Sequence, residues 1–191
     1  MKVIKDNRTI ELNEKLKNEI FTKKFLTNEA YFPDKILNNN DYYLFISFEF
    51  DFCDEFEFLF KNMIDKHKES RFFMSTMSPM ELYDFELEYE VDLKNNKIED
   101  LIYSDLELFK SEPDFYISHT DIGTVVLIYD LSKDFVILID CDSNVIYIMI
   151  NKNYYISNDI EIPNTFHSIN DDIFRDDFSK EYHQDLLRNY L

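Results

Sequence analysis

The sequence predicts an α+β fold, a single domain in which a largely antiparallel sheet, a meander, is flanked by about four helices. Three observations point there. Residues 83–92 alternate apolar and polar without a fault, as a half-buried strand does. Residues 54–67 place apolar side chains three and four apart, as an amphipathic helix does. Three apolar runs between 124 and 150 are separated by gaps so short that only antiparallel hairpins can join them.

In chain order, residues 9–26 read as a first helix, with Leu12, Leu16, Ile20 and Phe25 along one stripe. Pro33 and the run Asn38-Asn39-Asn40 mark a turn region. Residues 42–52 form an apolar strand, with Leu44, Ile46, Phe48, Phe50 and Phe52 on one face and Ser47, Glu49 and Asp51 on the other. A helix begins at Asp54, with Glu57 three residues on in a capping-box arrangement. Its stripe runs Phe56, Leu59, Phe60, Met63, Ile64, His67. Residues 71–77 are a short strand that ends at Ser78-Pro79, and the alternating strand 83–92 follows. After the break at Lys94-Asn95-Asn96, residues 98–109 form a helix on Ile98, Leu101, Ile102, Leu106 and Phe109. The runs 124–130, 134–140 and 145–150 are the hairpin strands, separated by Leu131-Ser132-Lys133 and Cys141-Asp142-Ser143-Asn144. A last helix starts from Ser179 as N-cap and carries Tyr182, Leu186 and Tyr190. The expected organisation is one α+β domain over 1–191. It comprises a near-neutral helical segment, 1–35, an acidic sheet body, 42–157, and a C-terminal helix, 179–190.

Charge is the most informative property. The 191 residues hold 20 Lys and Arg against 39 Asp and Glu, a net charge of −19. Residues 1–35 carry eight bases and six acids, or +2, so the remainder carries −21. Such a body repels nucleic acid and anionic membrane and attracts basic partners over a distance, which argues against direct contacts to phosphate. In the strand 83–92 one side is entirely carboxylate: Asp84, Glu86, Glu88, Glu90 and Asp92. Neighbours on that side stand about 6.8 Å apart and repel by roughly 0.6 kcal/mol per pair even in bulk water. No Lys or Arg lies between Arg71 and Lys94. A second acidic cluster comprises Glu49, Asp51, Asp54, Glu55 and Glu57. Both clusters are candidate partner-binding faces, and the ordinary alternative for either is a solvated surface.

Apolar residues make up 45% and aromatics 17%, including 19 Phe and 13 Tyr, so this highly charged chain has the material for a packed core. Two cysteines, Cys53 and Cys141, form neither a disulfide framework nor a metal-binding spacing. The first residues have no apolar signal-like run, and no stretch reaches membrane-spanning length. A cytoplasmic protein with free thiols, without membrane association, is expected.

Catalytic motifs are not in evidence, and neither a cofactor nor a metal is expected. With Gly123 as the single glycine, a P-loop, a dinucleotide-binding turn and a nucleophile elbow are all impossible. The strand ending Asp140-Cys141-Asp142 is similar to the first motif of haloacid-dehalogenase phosphatases, but a new strand starts at once and too little chain follows for that family's catalytic region. The same segment opens like a calcium loop but has Val145 and Asn151 where that loop needs Gly and Glu. A turn rich in Asp, Ser and Asn accounts for it. His67, His119, His167 and His183 are far apart, and His67 reads as a satisfied histidine at the edge of a helix stripe. Ser118, His119 and Asp121 are too close in sequence for triad geometry, and carboxylate pairs such as Glu99-Asp100 and Asp171-Asp172 arise by chance among 39 acids.

Stretches such as Asp84-Phe85-Glu86-Leu87-Glu88-Tyr89-Glu90 and Phe48-Glu49-Phe50-Asp51-Phe52-Cys53-Asp54-Glu55 sit in a small, acidic, glycine-poor, aromatic-rich α+β chain. In those features the chain resembles immunity proteins of bacterial polymorphic and contact-dependent toxin systems. The resemblance implies a non-enzymatic, stoichiometric inhibitor of a basic protein: a cognate toxin, such as a nuclease, or another nucleic-acid-binding enzyme. A close variant is a phage anti-defence protein, anti-CRISPR-like, acting as a nucleic-acid mimic. A reading of a different class is a metal-dependent hydrolase. The oligomeric state is not legible.

Overall fold

The structure is a computed structural model that describes residues 2–3, 6–20, 35–36, 39–47, 54–68, 71–77, 87–95, 125–140 and 145–168. Among the described residues, eight strands form one sheet in which every pairing is antiparallel. They are β1 (Lys2–Val3), β2 (Tyr42–Ser47), β3 (Phe72–Met77), β4 (Leu87–Val91), β5 (Val125–Asp130), β6 (Phe135–Asp140), β7 (Val145–Asn151) and β8 (His167–Ser168). Their order across the sheet is β1-β4-β3-β5-β6-β7-β2-β8. Among the described residues there are three helices: α1 (Asn7–Ile20), α2 (Asp54–Lys66) and α3 (Lys152–Asn158). The α+β class is as expected.

The sheet is the middle of three layers, and the near-continuous apolar runs explain why. In β5, Val126 and Ile128 face one way and Leu127 and Tyr129 the other, and all four are buried. The same division holds in β6 and β7, as it must for strands covered on both faces. One face packs on the α2 stripe Phe56, Leu59, Phe60, Met63 and Ile64 and on Tyr154 of α3. The other packs on Leu16 and Ile20 of α1. The register places Ile137 opposite Ile148 and Ile139 opposite Ile146 in the first core.

The meander is only part of the topology. Strands β5, β6 and β7 follow one another as hairpins, but β2 lies beyond β7, and β3 beyond β5. The chain leaves β2, crosses under the sheet through α2 and enters β3 running in the same direction, with β5, β6 and β7 later inserted between them. Local patterns do not specify that order.

Element bounds differ in places. The first helix ends its described part at Ile20 and β2 at Ser47, and the expected continuations to 26 and 52 lie outside the described residues. So do residues 83–86 of the alternating strand, the expected helix 98–109, and the expected helix 179–190. Three elements were not expected: β1, β8 and α3. The apolar run through Ile150 reads on into Tyr154, Tyr155 and Ile156, yet the strand stops at Asn151. There the Asn151 side chain accepts hydrogen bonds from the backbone N–H groups of Asn153 (3.0 Å) and Tyr154 (3.3 Å), the capping arrangement that turns a chain into a helix. Asp159, in the left-handed region at φ 49°, ends α3.

Candidate functional site

At one end of the sheet the last residue of β5, the turn into β6 and the last turn of α2 converge. Asp130 stands on the same side of β5 as Val126 and Ile128, so its carboxylate enters the core beneath α2. His67 follows Lys66 at the end of α2, on the stripe of Met63 and Ile64. The His67 Nε2 lies 3.1 Å from Asp130 Oδ2 and 3.3 Å from Asp134 Oδ2. The side chains of His67 and Asp130 are 0% exposed, and that of Asp134 is 33% exposed, so the group reaches solvent through Asp134. Rings of Phe72, Phe135 and Tyr154 surround the imidazole at centroid distances of 5.3, 5.5 and 5.6 Å.

The carboxylate of Asp130 has a local task as well. Its Oδ2 accepts from Ser132 N (2.8 Å) and its Oδ1 from Phe135 N (3.3 Å), which ties off the turn 131–134. Lys133 sits in that turn at φ 57°, a conformation costing a residue with a Cβ about 1 kcal/mol or more. Its carbonyl accepts from the Tyr42 hydroxyl (2.6 Å), and the Asp134 carbonyl accepts from Asn151 N (2.8 Å). Lys94 Nζ donates to the His67 carbonyl (3.1 Å), and the Tyr154 hydroxyl to the Met63 carbonyl (2.7 Å), both near the end of α2.

Charge is finely divided here. Burial, and next the like charge of Asp130, hold the Asp134 carboxyl above its usual range, although His67 pulls the other way. Burial pushes the Tyr42 hydroxyl up to about 12, with Asp130, Asp134 and Asp41 adding to the shift and Asn151 opposing it. Burial likewise raises the Tyr154 hydroxyl.

Helical spacing puts His67 at the edge of the α2 stripe, and no local motif marks Asp130 or Asp134. The histidine is fully buried, and its carboxylate partners explain how burial is tolerated. A signal was present: Asp130 shares the parity of Val126 and Ile128, and His67 that of the α2 stripe. Two polar groups at core positions on separate elements point to each other.

The acidic candidates meet different ends. Asp84, Glu86, Glu49 and Asp51 lie outside the described residues. Glu88 is opposite Ser75 in β4, and Asp54 is the first residue of α2. Glu55 is exposed and Glu57 half-buried. Asp92 is exposed just past β4, where it accepts from Lys94 N (3.1 Å) and Asn95 Nδ2 (2.7 Å). These bonds, Asn95 first, hold its carboxyl below the usual range. Glu90 departs from the expected wet, unpaired row. It sits between Phe73 of β3 and Lys2 of β1, half-buried, with Arg71 Nη2 3.1 Å from its Oε2. The strand has neighbours on both sides, and Arg71, the base that begins the positive-charge gap in the sequence, folds back across the hairpin to meet it.

Three large apolar side chains are exposed among the described residues: Tyr43, Phe58 and Ile156. Phe58 is 53% exposed on α2, one turn after the exposed Glu55. No helix among the described residues is long and apolar enough to cross a membrane. Compared with protein-family models, with curated proteins and with solved structures, the chain has no match.

Proposed function

We propose that this chain is an acidic binding protein that inhibits a basic target by occupying its cleft, as an immunity protein does to a cognate bacterial toxin, and that it acts in the cytoplasm. One observation carries the reading: Phe58 stands more than half-exposed on α2, one turn from Glu55, in a chain of net charge −19. Acids in the first turn of a helix stabilise it through the helix dipole, so Asp54 and Glu55 have an ordinary explanation. Phe58 has none. Fully burying such a side chain is worth about 1.5–3 kcal/mol, and at 53% exposure this fold leaves roughly half of that unused. An aromatic anchor beside carboxylates suits a basic surface, the carboxylates steering association and the ring slowing dissociation. Lys61, one turn further on, is the base that limits this acidic rim on α2.

Affinity capture from the native host with the parent chain and with Phe58→Ala tests the reading. The parent should retain a basic protein in a one-to-one complex that weakens with salt and loses its activity when bound. Phe58→Ala should bind it at least tenfold less tightly, a difference of about 1.4 kcal/mol or more. Equal capture by both chains, or a partner whose binding is indifferent to salt, would remove the basis of the proposal. Competition by duplex DNA for the same partner would identify the nucleic-acid-mimic variant.

A further inference from the structure

We infer that His67, Asp130 and Asp134 form a structural site for a first-row divalent cation, with Zn2+ as the reference ion, which fastens the end of α2 to the turn between β5 and β6. This inference is independent of the proposed inhibitory role.

The donor atoms come from three places in the chain, and all lie within 4.8 Å of one another. The two separations from Nε2, 3.1 and 3.3 Å, fall between the ligand–ligand edges of about 3.0 Å (octahedral) and about 3.4 Å (tetrahedral) that bonds of about 2.1 Å imply. Hydrogen bonding alone fits the same group less well. Nε2 carries at most one hydrogen, yet it faces an oxygen of each of two carboxylates. One hydrogen makes one straight bond, so the second carboxylate is left with a poor share of it. A dication drawn in among the three donors would offset the like charges of Asp130 and Asp134, with the partly exposed Asp134 side chain free to close on it.

The surroundings have the parts a metal site needs. Asp130 is oriented by two backbone N–H groups, those of Ser132 and Phe135, the kind of outer contact that holds a ligating carboxylate still. Aromatic rings exclude water from the imidazole side, and the partly exposed Asp134 leaves a path for the ion and for a water to complete its coordination. One imidazole and two carboxylates select Zn2+, Co2+ or Mn2+ over the all-oxygen preference of Ca2+ and Mg2+. On binding, Nε2 gives up its hydrogen, which moves to Nδ1 or to solvent, and its lone pair takes the ion. The ion thus joins elements 63 residues apart in sequence.

The test uses the full chain, stripped with a chelator and titrated with Zn2+ and with Co2+. One ion should bind per chain and raise the unfolding temperature. The Co2+ form should show d–d bands shifted or intensified relative to aqueous Co2+, without the near-ultraviolet thiolate band that Cys53 or Cys141 would contribute. Asp134→Asn, at the most accessible ligand, should weaken binding tenfold or more, and Asp92→Asn, an exposed acid elsewhere, should leave it unchanged. Circular dichroism checks that both variants fold. Sub-stoichiometric binding overturns the inference, as does a thiolate band. Equal weakening by Asp134→Asn and Asp92→Asn overturns it too, because it would mean diffuse attraction to an acidic surface. Should Asp134→Asn not fold, the cobalt spectrum of the parent decides alone: bands no different from those of aqueous Co2+ mean no site.

Discussion

Arg71 reaches across the β3–β4 hairpin to Glu90, 3.1 Å away, and the same guanidinium nitrogen donates to the Thr9 hydroxyl of α1, also at 3.1 Å. Its charge lies 5.5 Å from the centre of the Phe73 ring. One side chain therefore joins β4, β3 and α1. Both members of the ion pair are about one-third exposed, so solvent weakens the attraction, and the packing of the arginine stem matters as much as its charge. Replacing Arg71 by Ala should cost about 1–2 kcal/mol of stability. Glu90→Gln, which keeps an acceptor, should cost less than half of that. Urea midpoints of the two variants check the order, and an equal loss would show that charge alone carries the contact.

Ile137 and Ile148 face each other across β6 and β7, and both are fully buried. Each change to Ala should cost about 2–5 kcal/mol. Because they border one potential cavity, the double replacement should cost clearly less than the sum of the single ones. Additive losses in a denaturant series would mean that the two sites relax independently.

The raised carboxyl of Asp134 makes a signed prediction for the metal-free chain. In the unfolded chain this group ionises near 3.8, and in the fold above it, so the ionised form disfavours folding. That cost is absent well below pH 3.8, grows as pH rises through the folded-state value, and is complete above it. Asp134→Asn removes it. The variant should match or exceed the parent in stability at pH 7 with chelator present, and its advantage should shrink towards pH 3. An advantage that grows on acidification would contradict the sign.

Tyr42 carries the opposite end of the pH scale. Its hydroxyl is pushed up to about 12, from 10.0, chiefly by burial. Below pH 10 the group is protonated in both states and contributes nothing to the pH dependence. Between 10 and 12 the unfolded chain loses the proton while the fold retains it, so stability falls as pH rises. Tyr42→Phe should unfold earlier at pH 8, by about 1 kcal/mol, because the Lys133 carbonyl loses its donor. It should also lose less stability than the parent between pH 10 and 12. Parallel alkaline curves for the two chains would refute this.

The acidic clusters separate function from folding. Neutralising Glu55 and Asp92, both exposed, should cost no more than about 1 kcal/mol of stability, from the helix-end charge of the one and the hydrogen bonds of the other. If those faces meet a basic cleft, the same double change should slow association and flatten its salt dependence. Stopped-flow rates at several salt concentrations measure both. An unchanged rate after neutralising both clusters would leave the acidity as surface charge only.

The sequence by itself determined what depends on neighbours in the chain. Continuous apolar runs made β5, β6 and β7 central strands, the stripe from Phe56 to Ile64 made α2, and the excess of acids set the sign of the surface. These are local or additive properties, and periodicity or composition reads them directly. The tertiary structure decided what depends on which elements become adjacent. It placed β2 beyond β7, brought Arg71 onto Glu90 within a face that had read as unpaired carboxylate, and ended β7 at Asn151 through a side-chain cap. It also joined His67 to Asp130 and Asp134, where each residue alone had an ordinary explanation. A buried charge is tolerated only beside a compensating group, and that group is supplied by packing between distant segments, which no local period encodes.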